Sequence, residues 1–481
     1  MQLFDYPQKN LPEPAHQDSV TTGWERFIEA AQKTNADAPE LTAFAHDLQS
    51  NPVGAKLAAS VFGNSPFLSA CWINDPQFTK DLLEQGPDVM RDDVLKATRE
   101  DSKNLDEAAL KTHLRRQKKR LALTAALADI SGTWDLFGVT GALSEFADAA
   151  ASAACAFQLS NLARRGKIKL KNPDDPEQGS GLVVLGMGKL GGRELNYSSD
   201  IDLILLFDPE VIETDEPMEL QQSFIRLARG LVSMLDERTA DGYVFRTDLR
   251  LRPDPGSTPL AISTTAAEIY YESIGQNWER AAMIKARPIA GDKAAGAAFL
   301  AHLKPFVWRK NLDFAAIQDI QSIKRQINAH KGGTSIKLHG HNVKLGRGGI
   351  REIEFYAQTQ QLIWGGRDRN LRKVPTLDAL NALVAAGHEK PDNALTLEGA
   401  YRYLRRVEHR LQMINDEQTH TLPDDEAGLE AVATFLGYGN LNAFAEELLA
   451  TLGQVEHLYA ELFSEGEQLS DPGSEGGNLV F

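Results

Sequence analysis

The chain has 481 residues, of which 42% are hydrophobic and 25% charged. At ~150 residues per domain this leaves room for about three domains, and the mixture excludes a wholly disordered or fibrous chain. The net charge of −16 argues against a protein that follows nucleic acid with a basic face, so no nucleic-acid partner is expected.

Met1 to Pro14 lacks the basic-then-apolar pattern of a secretory leader, and no apolar run reaches the ~18 residues of a membrane helix. Cys71 and Cys155, far apart in apolar surroundings, exclude a disulfide scaffold or a zinc knuckle and read as buried thiols. A soluble, cytoplasmic protein without a membrane partner is expected. Residues 1–170 read as a helical region. Trp24, Phe27, Ile28 and Ala31 recur at helical spacing, and 121–164 is an Ala/Leu-rich pair of helices broken near Ser131–Gly132 and Gly141. Arg115, Arg116, Lys118, Lys119 and Arg120 read as a solvated helix face.

Breakers at 172–181 mark a surface loop, and the texture then turns to β. Strands are predicted at 182–185, 201–207, 243–252 and 283–289, with a helix at 218–235, so 171–295 forms a mixed α/β unit. Helical patterning returns over 296–465, most clearly at 313–330, 350–364, 395–414 and 441–463. Residues 466–481 are Gly-, Ser- and Glu-rich and read as a flexible tail or linker, whose apolar, uncapped end suggests a fragment of a longer chain. The fold class expected is α+β: a small mixed-sheet domain flanked by predominantly helical ones.

Gly186-Met187-Gly188-Lys189-Leu190-Gly191 fits the dinucleotide pattern G-x-G-x-x-G. The spacing contradicts it, because the next strand begins nine residues after Gly192, too soon for a parallel crossover helix. A Walker loop fails as well, since Leu190 follows Gly188-Lys189 where Ser or Thr is required. What remains is a glycine-rich turn whose backbone can approach an anion, or else a tight strand connection without a ligand.

Ser199-Asp200-Ile201-Asp202 opens the second strand. Asp200 and Asp202 share one face, about 7 Å apart along the strand, and Ile201, Leu203, Leu205 and Phe207 share the buried face. On 243–252, Arg246, Asp248, Arg250 and Arg252 share the polar face. If that strand lies beside the second, Asp248 completes a three-carboxylate cluster suited to Mg²⁺ or Mn²⁺, and Arg250 and Arg252 are placed to meet phosphate oxygens. Acids, basic forks and a glycine turn together are the parts of two-metal nucleotidyl transfer.

The run 185–204, LGMGKLGGRELNYSSDIDLI, resembles the signature of the bifunctional glutamine synthetase adenylyltransferase/adenylyl-removing enzymes, within the polymerase-β-like nucleotidyltransferase superfamily. TDLRLRPDP at 247–255, GGIREIEF at 348–355, RRVEHRLQM at 405–413 and QTHTLP at 418–423 extend the resemblance over about 180–425. Family enzymes have two nucleotidyltransferase halves. This chain has one, and its Ser198-Ser199-Asp200 and GGIREIEF are similar to the N-terminal, adenylyl-removing half. The resemblance implies that phosphate attacks the AMP–tyrosine bond on glutamine synthetase and releases ADP. It also implies Asp200, Asp202 and Asp248 as catalytic metal ligands, and, by superfamily analogy, the glycine turn (Gly188, Gly191, Gly192) with Ser199 as the holder of nucleotide phosphates. Phosphate, ADP and ATP are the implied small partners, and a PII-type signalling protein is an implied regulator. AMP transfer from ATP, or a nucleotide-binding module without turnover, are the competing possibilities. Where the superfamily usually has Gly-Ser before the two acids, Ser198-Ser199 stands here.

The charge is uneven. Residues 301–420 carry 19 Lys/Arg against 12 Asp/Glu, whereas 421–481 carry twelve acids and no Lys or Arg. Lys344, Arg347 and Arg351 surround Gly346, Gly348 and Gly349 before a helix, which suits either an anion site or an ordinary helix start. Arg405, Arg406, Glu408, His409 and Arg410 read as a structural ion-pair network, and no role is expected for His409 or His420.

Overall fold

The computed structural model describes residues 2–8, 11–34, 40–309 and 335–468, with side chains described as far as 462. Among them, eight helices run from Gln17 to Arg164. Four in a row begin where a cap position meets a proline. Asn51, Ser65 and Asp75 each accept a hydrogen bond from a first-turn N–H ahead of Pro52, Pro66 and Pro76, and Gly86 precedes Pro87. A proline in the first turn loses no helix bond, and the cap satisfies donors that have no partner within the helix.

The last two of these helices are α1 (Glu107–Ser131) and α2 (Leu136–Arg164). Gly132, with φ at +77°, ends α1 as expected. Gly141 does not break the chain but lies inside α2, where an isolated glycine is tolerated. The solvated basic face is also corrected. Arg115 is fully buried and donates to the carbonyls of Lys111, Met234, Glu237 and Gly242; Lys118 pairs with Asp416 at 2.5 Å, and Arg120 with Asp75 at 2.8 Å. Arg116 remains exposed. Cys71 and Cys155 are both buried free thiols.

The sheet contains β1 (Leu182–Gly186), β2 (Ile201–Phe207), β3 (Thr247–Asp248), β4 (Ala261–Ser263) and β5 (Arg287–Gly291). Its order is β3-β2-β1-β5, and β4 pairs with β2 further along the edge that β3 occupies. β1 is antiparallel to β2 and β5, while β3 and β4 run parallel to β2. Helix α3 (Leu220–Asp236) makes the crossover that parallel pairing requires, and its Phe224 stacks on Phe207 with centroids 4.8 Å apart.

The strand expected over 243–252 shortens to two residues. The N–H groups of Val244 and Phe245 both bond to the carbonyl of Leu235 at the end of α3, and beyond Asp248 the backbone turns back around Arg252. The strand expected at 283–289 starts four residues late, because the N–H groups of Ile284, Lys285 and Ala286 continue the turns of the helix Asn277–Met283.

β2 is buried on both faces beyond its first turn. Leu182, Val184, Ile201, Leu203, Leu205 and Phe207 join the apolar core of the N-terminal helices. Val183, Leu185, Ile204 and Leu206 join Tyr271, Phe299 and Leu362 on the other side. The sheet therefore shares a core with the helices that precede it. A separate cluster holds together α4 (Ile350–Trp364), α5 (Pro391–Asn415) and α6 (Leu441–Gln468). α4 has the bounds read from the sequence. α6 runs to Gln468, into the expected tail, and the expected helix at 313–330 lies outside the described residues. No described helix is long and apolar enough to cross a membrane.

Candidate active site

The parallel register of β2 and β3 sets Asp202 directly beside Asp248. Register neighbours on adjacent strands point to the same face, and Asp200 lies two residues before Asp202. Pairing of β3 thus does what its short length belies: it brings the third acid to the first two. Asp202 is the most enclosed. Burial, then the charges of Asp200 and Asp248, push its carboxyl up to about 6, while Lys344 and Arg351 pull the other way. Asp248 is held below the usual carboxylate range by Arg250, whose Nε donates at 2.8 and 3.0 Å and whose own backbone N–H donates at 2.8 Å. An open cleft of about 440 Å³ beside the acids is lined by Asp200, Arg246, Asp248, Arg250, Gln418 and the apolar Val232, Leu249 and Leu260.

The glycine turn is a single helical turn, Gly188–Gly191. Its three glycines have different reasons. Gly188 has φ at +52°, and a Cβ there would stand 2.9 Å from Oδ2 of Asp202, so the turn lies directly against the acid. A Cβ on Gly191 would stand 1.7 Å from the carbonyl oxygen of Lys285, and one on Gly192 would stand 2.7 Å from Oε2 of Glu194. Gly191 and Gly192 are thus close-packing positions, turned toward Lys285 and Glu194. Ser199 is buried beside Asp200. Its neighbour Ser198 is bound on all sides: its N–H donates to Gln412 at 3.0 Å, its Oγ to the carbonyl of Asp416 at 2.8 Å, and Arg246 donates to its Oγ at 2.9 Å.

The two arginines after Asp248 separate. Arg250 is 82% exposed at its side chain and faces the acids. Arg252 folds back, and its donors meet the carbonyls of Leu249, Pro255, Thr258 and Pro259 at 2.8 to 3.4 Å. It shapes the loop after β3 instead of standing free beside Asp248. Positive charge near Asp202 comes instead from Lys344 and Arg351 at the start of α4. Arg347 turns away to pair with Glu456 at 2.8 Å.

The ion-pair network expected around Arg405, Glu408, His409 and Arg410 is present and buried behind the site, and it reaches residues the sequence did not place in it. Lys189 donates to both oxygens of Glu408 at 2.8 and 2.9 Å. Glu408 also lies 2.7 Å from Nδ1 of His420 and 3.3 Å from Nε of Arg405. Burial pushes Lys189 down to about 7 and Glu408 opposes that; burial disfavours the Glu408 anion too, but Lys189, His420 and Arg405 hold it far below the usual range. Nearby, Lys285 pairs with Glu194 at 2.5 Å and donates to Thr376 at 3.0 Å. Burial opposes ionisation of Glu354, yet Lys285 and Arg351 keep it at about 2. Lys285 and Thr376 lie outside the motifs that carry the family resemblance; Lys189, Glu194, Arg351, Glu354, Arg405, Glu408 and His420 lie within them. Their signal was a lysine, an arginine or an acid set among residues that must be buried, which demands a counter-charge.

Among the described residues no three His, Cys, Asp or Glu side chains stand ready as a cage for an ion. The donor chemistry of Asp200, Asp202 and Asp248 fits a hard divalent cation, because the mutual repulsion that raises Asp202 is what such a cation relieves.

Three relatives, from Agrobacterium fabrum, Mesorhizobium japonicum and Rhodopseudomonas palustris, are each named bifunctional glutamine synthetase adenylyltransferase/adenylyl-removing enzyme. The first is 52% identical over 88% of this chain and 43% of its own length; the second is 49% identical over 92% and 45%. The third is 54% identical over 73% and 35%. The chain therefore spans less than half the length of the curated relatives it matches. Residues 320–463 match the model of a second family, GlnD PII-uridylyltransferase. The model of glutamate-ammonia ligase adenylyltransferase matches residues 55–302, just over half of the chain and the whole of the sheet that sets Asp202 beside Asp248, and the chain belongs to that nucleotidyltransferase family.

Proposed function

We propose that this chain removes AMP from adenylylated glutamine synthetase by phosphorolysis, with Asp200, Asp202 and Asp248 holding Mg²⁺ or Mn²⁺. The observation that carries the proposal is the Asp202–Asp248 register with Gly188 pressed against Asp202. The relatives' names supply glutamine synthetase as protein substrate. Ser198-Ser199 and the GGIREIEF motif, similar to the adenylyl-removing half, supply the direction. ADP and free tyrosine are the products, and ATP, which would leave diphosphate behind, is the AMP donor of the competing adenylyl-transfer reaction. A PII-type signalling protein as regulator belongs to the same proposal.

Bound metal supplies charge neutralisation at the phosphorus being transferred. The chain's own groups do the rest. Arg250 stands exposed and paired with Asp248, and Lys344 and Arg351 bring positive charge to Asp202, so an anionic substrate meets cations near the carboxylates. Of the expected phosphate holder, Gly188 and Ser199 stay next to the acids, whereas Gly191 and Gly192 serve packing. Inorganic phosphate is already an anionic nucleophile, so no general base is required, and catalysis rests on positioning and charge. The test is ADP release from adenylylated glutamine synthetase. It is expected to require both phosphate and a divalent cation, and to stop in Asp202→Asn. Incorporation of AMP from ATP into unmodified glutamine synthetase with release of diphosphate, without phosphate-dependent ADP release, would favour adenylyl transfer instead.

A further inference from the structure

The contact between Gly188 and Asp202 depends on where the glycine turn sits; a backbone bond from Met187 N–H to the carbonyl of Asp202 at 2.9 Å anchors its root, and side chains hold the rest from two sides. Arg287 grips its far end: Nη2 donates to the carbonyl of Leu190 at 3.1 Å while the same guanidinium pairs with Asp148 of α2 at 2.6 and 3.0 Å. The near end is held by Lys189, the residue after Gly188, through its two bonds to Glu408 of α5. Glu408 is completely buried, and so are its neighbours on the same helix, Arg405 and His409. His420, which approaches the same carboxylate, is two residues from Gln418, which lines the cleft beside the acids.

We propose that Glu408 is a positioning residue: through Lys189 it holds the glycine turn against Asp202, so that the acid site is complete only while α5 is docked on the sheet. This rests on the reading of Asp200, Asp202 and Asp248 as the reacting centre. The physical logic is that an isolated buried lysine is expensive, and its lowest-energy position is wherever its counter-charge is. Fixing Lys189 Nζ at Glu408 fixes the backbone one residue away at Gly188. That Gly188 has no Cβ lets it approach Asp202 closely, but does not by itself keep it there. Arg405 and Lys285 reinforce the arrangement by binding Glu194, just beyond the turn.

Asp129 provides the matched control. It is a half-buried carboxylate bonded to Arg410 at 2.9 Å and His409 at 2.8 Å, from the same helix as Glu408, and to the Tyr197 hydroxyl at 3.1 Å, and it does not touch the turn. The experiment compares the parent chain, Glu408→Gln and Asp129→Asn by hydrogen exchange of the amides at 187–192 and by kcat and KM for phosphate-dependent ADP release. In Glu408→Gln, exchange over 187–192 is expected to rise about tenfold or more, and kcat to fall by a similar factor with KM for phosphate changed less than about threefold. Glu408→Asp, which retains the charge, should recover part of both. Asp129→Asn should lose comparable thermal stability while leaving 187–192 exchange and kcat within about twofold of the parent. Parent-like exchange at 187–192 in Glu408→Gln, or equal changes in Asp129→Asn, would overturn the proposal. Because exchange is read without substrate, an inactive parent would refute the reaction assigned above while the positioning claim is still decided.

Discussion

The glycine turn separates two kinds of glycine, and single alanines at each make the sharpest prediction. At Gly188, alanine must adopt φ near +52°, and its Cβ would meet Oδ2 of Asp202 at 2.9 Å. The left-handed backbone costs about 1–2 kcal/mol. The clash adds little to that, because the atom in the way is the free end of a carboxylate and can swing aside. Ordinary contact begins at 3.4 Å, so Asp202 must retreat by about half an ångström. Misplacement on that scale at a reacting group costs roughly 10- to 100-fold in rate. At Gly191, the Cβ would lie 1.7 Å from the backbone oxygen of Lys285 and 2.6 Å from that of Gly186. Neither backbone can yield without opening the β1–β5 end of the sheet, so Gly191→Ala should lose more than about 3 kcal/mol or fail to fold. Denaturant melts and ADP-release assays on both variants decide it. Gly188→Ala should be folded and nearly inactive, and Gly191→Ala unstable. Parent-like activity in the first, or parent-like stability in the second, refutes the division of roles.

Three further predictions follow from named contacts. Arg252→Ala removes the donors that gather the carbonyls of 249–259, so proteolysis in that loop should quicken and ADP release should fall, although Arg252 itself does not stand beside the acids. Burial pushes Glu177 up to about 7 from an ordinary 4.5, so the folded state holds this proton more tightly than the unfolded chain; stability should decline as pH rises from about 4.5 to 7, and Glu177→Gln should flatten that decline in melts across the range. Burial opposes the Asp129 anion, but Arg410 and His409 overcome it and hold it well below the usual carboxylate range, so its contribution is present at neutral pH and lost as pH falls below about 4. Asp129→Asn should cost about 3–5 kcal/mol at pH 7 in urea melts, with the difference from the parent shrinking in acid.

Much of this was legible in the sequence. The alternation of Ile201, Leu203, Leu205 and Phe207 placed Asp200 and Asp202 on one face, and α4 appeared with its correct bounds. Asp248 is expected beside them only if its strand pairs with the second, and the register shows that pairing. Alternation misled just beyond it: Tyr243 to Arg252 reads as one strand, but the end of α3 captures its first amides and Arg252 curls its last carbonyls. A guanidinium can serve a phosphate or its own loop, and local pattern does not distinguish the two. The basic run at 115–120 failed for a similar reason. Charges near one another look solvated until tertiary packing supplies carbonyls and carboxylates, as it does for Arg115 and Lys118. The Lys189–Glu408 pair lies outside sequence reasoning altogether, because its partners are 219 residues apart.

The account depends most on the reaction assigned to the three acids. The direct measurement is ADP production when the purified chain is mixed with adenylylated glutamine synthetase, phosphate and Mg²⁺ or Mn²⁺, alongside Asp202→Asn. The account predicts ADP in step with the loss of AMP from glutamine synthetase, none without phosphate or metal, and none from Asp202→Asn. Release that persists in Asp202→Asn, or a parent chain that yields no ADP and instead transfers AMP from ATP, would contradict it.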